Sequence, residues 1–188
     1  MIDQGSRLKT TCPDILNTSC VAKTELFTVE KVHLKFSNGV QREYERFSGT
    51  ANSSVIIIPI LADEVLLVRE YAVGMEQYVL QFPAGRIDVG ETPEQAASRE
   101  LMEEVGYDAK HLSTLKKTAI SPSYSSALSY LVLAEELHPK QLQGDEPEPL
   151  EVVPWRLDQL DTLLEDPDFI GARSIAALFY LYRRVSAA

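Results

Sequence analysis

Positive charge is scarce in this chain. Eighteen Lys and Arg stand against 28 Asp and Glu, a formal net charge of −10. That balance argues against a nucleic-acid partner, because phosphate backbones need clustered cations. An acidic protein that handles an anionic substrate needs a local positive device, and a bound divalent cation is the obvious one. Cysteine is nearly absent. Cys12 and Cys20 cannot build a disulfide framework, their spacing is wrong for a CxxC motif, and so low a count suits a reducing compartment. Met1 to Thr11 lacks the apolar core of a signal peptide. The longest apolar run, Val55 to Ala62, is far too short to cross a bilayer. The expectation is a soluble, cytoplasmic protein without a membrane or nucleic-acid partner.

The 188 residues suffice for one domain with a small appendage, and a hydrophobic fraction of 45% is that of an ordinary globular chain. Residues 1–23 show no clear period and read as a loose or extended arm. From Glu25 to Phe47, alternating apolar residues on either side of Asn38-Gly39 predict a β-hairpin. Strands follow at Ser54–Leu61 and Glu64–Tyr71, the first buried on both faces, and another at Tyr78–Phe82. Thr92 to Val105 reads as a helix with Thr92 as cap, Pro93 at the first position, Gln95 completing a capping box and Gly106 as stop. Further strands are expected at Leu112–Ala119, Ser126–Glu135 and Val152–Trp155, and helices at Asp158–Glu165 and Ile170–Val185. Many strands with a few helices laid against them predict an α+β sandwich.

One stretch carries chemistry. Gly85 is followed by five residues, Glu91, seven more residues, then Arg99-Glu100-Leu101-x-Glu103-Glu104-x-Gly106. Glu100, Glu103 and Glu104 stand at i, i+3 and i+4, so their carboxylates emerge on one helical face. They repel one another there unless cations bind, and clustered hard oxygen ligands suit Mg²⁺ or Mn²⁺. Ala96, Ala97 and Leu101 lie largely off that face and can pack on a sheet, while Arg99 can pair with Glu91. A Glu-rich helix face alone is usually a solvated surface. Seven identities in fixed register are another matter, arising by chance roughly once in 10⁸ starting points.

The segment from Gly85 to Tyr107 resembles the Nudix box, departing from it only in placing aromatic Tyr107 where an aliphatic residue is usual. The resemblance implies a Nudix α/β/α sandwich with a mixed sheet, preceded here by a β-hairpin extension: an arm and hairpin over 1–47, then the hydrolase domain over 48–188 with its box at 85–107. It implies hydrolysis of a P–O–P bridge by water, with Glu100, Glu104, Glu103 and the backbone carbonyl of Ala84 holding Mg²⁺, Mn²⁺ able to substitute. Gly85, Glu91, Arg99 and Gly106 are structural in the box. The general base in the related ADP-ribose pyrophosphatases is often a glutamate on a late loop, a place taken here by "GDEPEPLEV" with Glu146 and Glu148. Glu148 is slightly preferred for lying nearer the following strand, Glu146 stays open beside it, and Glu103 is the fallback. The same acidic, Pro-rich stretch also reads as a solvated connector.

Beyond the box, "LVREYAVG", "SPSYSS" and "LLEDPDFIGARSIAALF" look like the NudE-type group of ADP-compounds hydrolases, a likeness spanning roughly residues 14–185. That group acts on ADP-ribose, NADH and diadenosine polyphosphates, releasing AMP, and its N-terminal hairpin usually completes a partner's site, which implies a homodimer. Ala72 stands where many ADP-ribose pyrophosphatases have Arg, and Gln81 where they often have Glu, so a broad preference for ADP-linked compounds fits better than strict ADP-ribose specificity. Candidate substrate contacts are Phe27 for adenine, Arg42 and Arg46 for phosphate, the loop of Ser121, Ser123 and Tyr124 for ribose, and Arg86, which beside Gly85 is expected to face the site. For Phe27, Arg42 and Arg46 the alternative is ordinary strand packing or a solvated surface. Rival readings are a sugar-nucleotide hydrolase of the same family, a non-catalytic nucleotide sensor on the same fold, and a structural protein with an acidic helix.

Overall fold

A computed structural model describes residues 11–48 and 53–186. The described residues form two compact units, one taking those before residue 50 with Ser121–Ser126, the other taking the rest.

The first unit is an antiparallel sheet of β1 (Asp14–Lys23), β2 (Thr28–Lys35) and β3 (Gln41–Ser48), in that order. The expected hairpin is β2–β3. Gly39 turns it at φ +83°, and the Asn38 side chain accepts from the Val40 amide at 3.0 Å. Of the arm expected to be loose or extended, Asp14–Lys23 takes the extended form as a full strand, which makes the hairpin a three-stranded sheet. Every residue of β1 is exposed, so neither face demands apolar alternation and the period that announces a strand is missing. Residues 1–10 of that arm lie outside the described residues. Ser121–Ser126 joins the unit through the Phe47 amide, which donates to the Tyr124 carbonyl at 2.7 Å.

The second unit is built on a mixed sheet. Its strands are β4 (Ser54–Leu61), β5 (Glu64–Ala72), β6 (Gln77–Gln81), β7 (Ala84–Arg86), β8 (Tyr107–Ala119), β9 (Leu128–Pro139) and β10 (Glu151–Arg156). The order is β10-β5-β4-β9-β8, with β6 on β5 and β7 on β4; β4 and β9 run parallel and the other pairs antiparallel. Alternate residues of β4 face opposite ways. Val55 and Ile57 pack with Ala96, Ala97 and Leu101, whereas Ile56 and Ile58 pack with Leu160, Leu163, Leu178 and Leu181. These partners come from α1 (Pro93–Glu100) and its continuation on one side, and from α2 (Leu160–Leu164) and α3 (Ala172–Val185) on the other. That makes the expected α/β/α sandwich.

Several bounds differ from expectation. β8 starts at Tyr107, five residues early, because it pairs with β9 out to Pro139. β7 is only three residues long, too short to show a period, and was not anticipated. The last helix starts at Ala172, after Gly171 as its cap. Among the described residues no helix is long and apolar enough to cross a membrane.

Candidate active site

The Thr92 hydroxyl accepts from the Gln95 amide at 3.2 Å and the Gln95 side chain accepts from the Thr92 amide at 2.8 Å, so the capping box closes as its residues require. α1 then runs to Glu100 and continues as a wider, π-helical turn over Leu101–Val105. Gly106 ends it at φ +80°, its amide reaching back to the Leu101 carbonyl. Single turns of this kind recur at functional sites. Leu101, Met102 and Val105 are buried, which leaves Glu103 and Glu104 directed with Glu100 toward a cleft of about 500 Å³.

β7 forms a second wall. It pairs with β4 (Val55 opposite Gly85, Ile56 opposite Ala84), and this brings its backbone against the helix. The Ala84 amide donates to the Glu104 carboxylate at 3.2 Å. The Glu100 carboxylate lies over Gly85 so closely that a Cβ built there would overlap it. A side chain at this position would have to displace the Glu100 carboxylate from its place over β7.

Arg99 locks the loop from β7 to α1. Its Nε and Nη2 donate to the two oxygens of Glu91 at 2.9 and 3.0 Å, and Nη2 also reaches the Arg86 carbonyl at 2.8 Å. Its Nη1 holds Glu100 at 2.7 Å and Glu103 at 3.1 Å. The Asp88 amide donates to Glu91 at 2.9 Å. The Arg99 hydrogen bonds hold the Glu91 carboxyl below the usual carboxylate range.

The third wall is the loop between β9 and β10. Gln141 donates to the Glu103 carbonyl at 3.1 Å and the Leu142 amide to the Met102 carbonyl at 3.1 Å, tying the loop to the π-helical turn. Gly144, Asp145 and Glu146 then line the cleft opposite Glu100 and Glu104. Burial dominates the electrostatics. It pushes the Glu104 carboxyl up to about 9, and the charges of Glu100, Glu70 and Glu146 add to that. Burial likewise raises Glu100, against the opposing pull of Arg99. It raises Glu146, with Asp145 adding, and Glu70, with Glu146 adding.

So much carboxylate in one cleft is costly without a cation. Among the described residues, no three carboxylates converge as a ready-made cage while Glu100 is turned to Arg99 and Glu104 to the Ala84 amide. The donor set is nonetheless all oxygen and anionic, the chemistry that a hard divalent cation needs.

The remaining sequence candidates fall out as follows. Ala84, Gly85, Arg86, Arg99, Glu100, Glu103, Glu104 and Glu146 line the one cleft. Glu148 lines a neighbouring cavity, also of about 500 Å³, that shares Glu103, Glu104 and Glu146, and its carboxylate accepts from the Tyr78 hydroxyl at 2.6 Å. Phe27, Arg42, Arg46, Ser121, Ser123 and Tyr124 all belong to the first unit. There Phe27 packs on Phe47 with centroids 5.7 Å apart, Arg42 donates to the Gln41 carbonyl, and Arg46 is committed to Glu30 at 3.0 Å. Ser123 lines a separate cavity of about 380 Å³ with Val32, Leu34 and Tyr44. The sequence reading missed Glu70 and Asp145. Asp145 sat unremarked inside the acidic loop, and Glu70 reads as an ordinary strand residue until Gln81 is seen donating to it at 2.6 Å.

The chain belongs to the Nudix family: the NUDIX domain matches residues 50–179, and the N-terminal domain of NudE-type Nudix hydrolases matches residues 13–46. It is similar to the ADP compounds hydrolase NudE of Escherichia coli strain K12, 53% identical over 167 residues that cover 89% of this chain and 90% of that one. It is also 29% identical to the ADP-ribose pyrophosphatase of Bacillus subtilis strain 168, over 88% of this chain and 93% of the relative. A crystal structure of an ADP compounds hydrolase superposes with a TM-score of 0.87 at 52% identity, covering 93% of this chain and 94% of that one.

Proposed function

We propose that this Nudix hydrolase cleaves the diphosphate bond of ADP-linked small molecules, among them ADP-ribose, NADH and diadenosine polyphosphates, and releases AMP. The observation that carries the reading is Glu104, a partly buried carboxylate that lines the cleft of the Nudix helix with Glu100 and Glu146. The names of the two relatives and of the solved structure support the ADP-linked substrate class. Glu100 and Glu104, with Glu103 and the Ala84 carbonyl, would hold Mg²⁺, with Mn²⁺ able to substitute. When bound, the cation supplies charge neutralisation at the diphosphate and a lowered pKa for the attacking water.

The chain's own residues do the rest. Arg99 is saturated by carboxylates and serves the box, leaving the Arg86 side chain as the cleft's cation for a phosphate oxygen. Glu146 is the group we assign as general base. It faces Glu100 and Glu104 across the cleft, and a carboxylate raised by burial takes a proton from water more readily than a solvated one. The first unit, with Phe27, Arg42, Arg46 and the Ser121–Tyr124 loop, would serve substrate contacts and a homodimer. Its exposed sheet and the two exposed, free cysteines suit a partner copy and a reducing cytoplasm.

AMP release from ADP-ribose, NADH and diadenosine triphosphate, measured with Mg²⁺ beside Glu104→Gln, tests this reading. The expected result is turnover by the native protein and a loss on the order of 10²–10³ in kcat in the variant. Tight nucleotide binding without turnover of any diphosphate would overturn it in favour of a sensor.

A further inference from the structure

We propose that Tyr78 is a positioning residue: its hydroxyl latches the acidic loop through Glu148 and so holds Glu146 over the carboxylate cleft. The inference rests on the reading of Glu146 as the base.

Residues 140–150 have no regular secondary structure of their own, and their start is fastened by Gln141 and Leu142 to the π-helical turn. Glu146 lies between that fastening and the 2.6 Å hydrogen bond from the Tyr78 hydroxyl to Glu148, just ahead of Leu150 packed on the core and the β10–β5 pairing that starts at Glu151. The chain linking tie and base is short and stiff. It reads Glu146-Pro147-Glu148-Pro149, in which each proline fixes its own φ and confines the glutamate before it to extended backbone. Fixing the Glu148 side chain therefore fixes the Glu146 backbone across one rigid residue. Tyr78 pairs with Tyr71 across β5 and β6, their rings meet edge to face with centroids 5.5 Å apart, and Leu80 on the same strand is fully buried. The site thus uses Glu148 to aim its neighbour, which separates the two glutamates the sequence left side by side.

Tyr78→Phe keeps the ring and removes the tie. Its kcat for AMP release falls about tenfold with KM within about twofold, since a displaced base slows the chemical step and leaves substrate binding alone. Glu148→Ala falls equally, the double variant falls no further, and Glu148→Gln, whose side-chain oxygen still accepts the bond, recovers most of the loss. Hydrogen–deuterium exchange reads the latch without catalysis: amides of Gly144 to Glu148 exchange several-fold faster in Tyr78→Phe. Unchanged exchange and kcat in Tyr78→Phe overturn the latch. So does a Glu148→Gln as slow as Glu148→Ala beside a fully active Tyr78→Phe, which would make Glu148 itself the acting carboxylate. A native protein that turns over no diphosphate sinks the hydrolase reading, and exchange alone then decides the latch.

Discussion

A guanidinium offers five N–H donors in a fixed fork, and Arg99 spends them on Glu91, Glu100, Glu103 and the Arg86 carbonyl. Lysine could supply the charge but not the geometry. The pairing has a pH signature. Arg99 lowers the Glu91 carboxyl in the folded chain, whereas in the unfolded chain Glu returns to about 4.3. The unfolded state then binds more protons in the window between the two values, so stability rises with pH there. The contribution is complete above about pH 4.3 and is lost as pH falls through the lower folded value. Urea unfolding from pH 7 down to about pH 3 should show a steeper loss for the native protein than for Glu91→Gln, which has no charge to lose at that position. Parallel curves would mean that the pair adds nothing to folding.

At the level of elements, α1 shows what a sequence can announce and what it cannot. Its start is written in Thr92, Pro93 and Gln95 and its stop in Gly106, and all four act as their chemistry requires. Thr92→Ala should cost about 1 kcal/mol, read as a lower urea midpoint with AMP release little altered. A midpoint within error of the native one would show that the cap is redundant with the packing of Ala96 and Ala97. The π winding after Glu100 was not legible, because it comes from how Leu101 and Val105 seat on the sheet and from the Gly106 amide reaching Leu101. Likewise the carboxylate trio was legible from spacing within one helix, while Glu70 and Tyr78 were not. Those two reach the site's surroundings by strand pairing, Glu70 opposite Val79 and Tyr71 opposite Tyr78, and a pairing register leaves no local pattern.

At the scale of the whole molecule, the two units differ sharply in how they bury themselves. The second encloses clusters on both faces of its sheet. In the first, among the described residues, only Val32 is buried, at 4% exposure, while Ile15, Leu16, Val21, Leu26 and Phe27 are each about half exposed or more. A three-stranded sheet needs an apolar face covered to be stable, and exposed apolar surface on this scale marks an interaction site. A second copy of the chain is the occupant expected from the proposed homodimer. Sedimentation equilibrium at micromolar concentration should then give about twice the 21.0 kDa of one chain. Leu16→Asp with Val21→Asp places charge on β1 and should shift the mass toward the single chain, since an unpaired charge buried at an interface is expensive. A 21.0 kDa species at every concentration would remove the dimer. A doubled mass that the paired aspartates leave untouched would place the contact away from β1, and with it the role assigned to this exposed strand would fall.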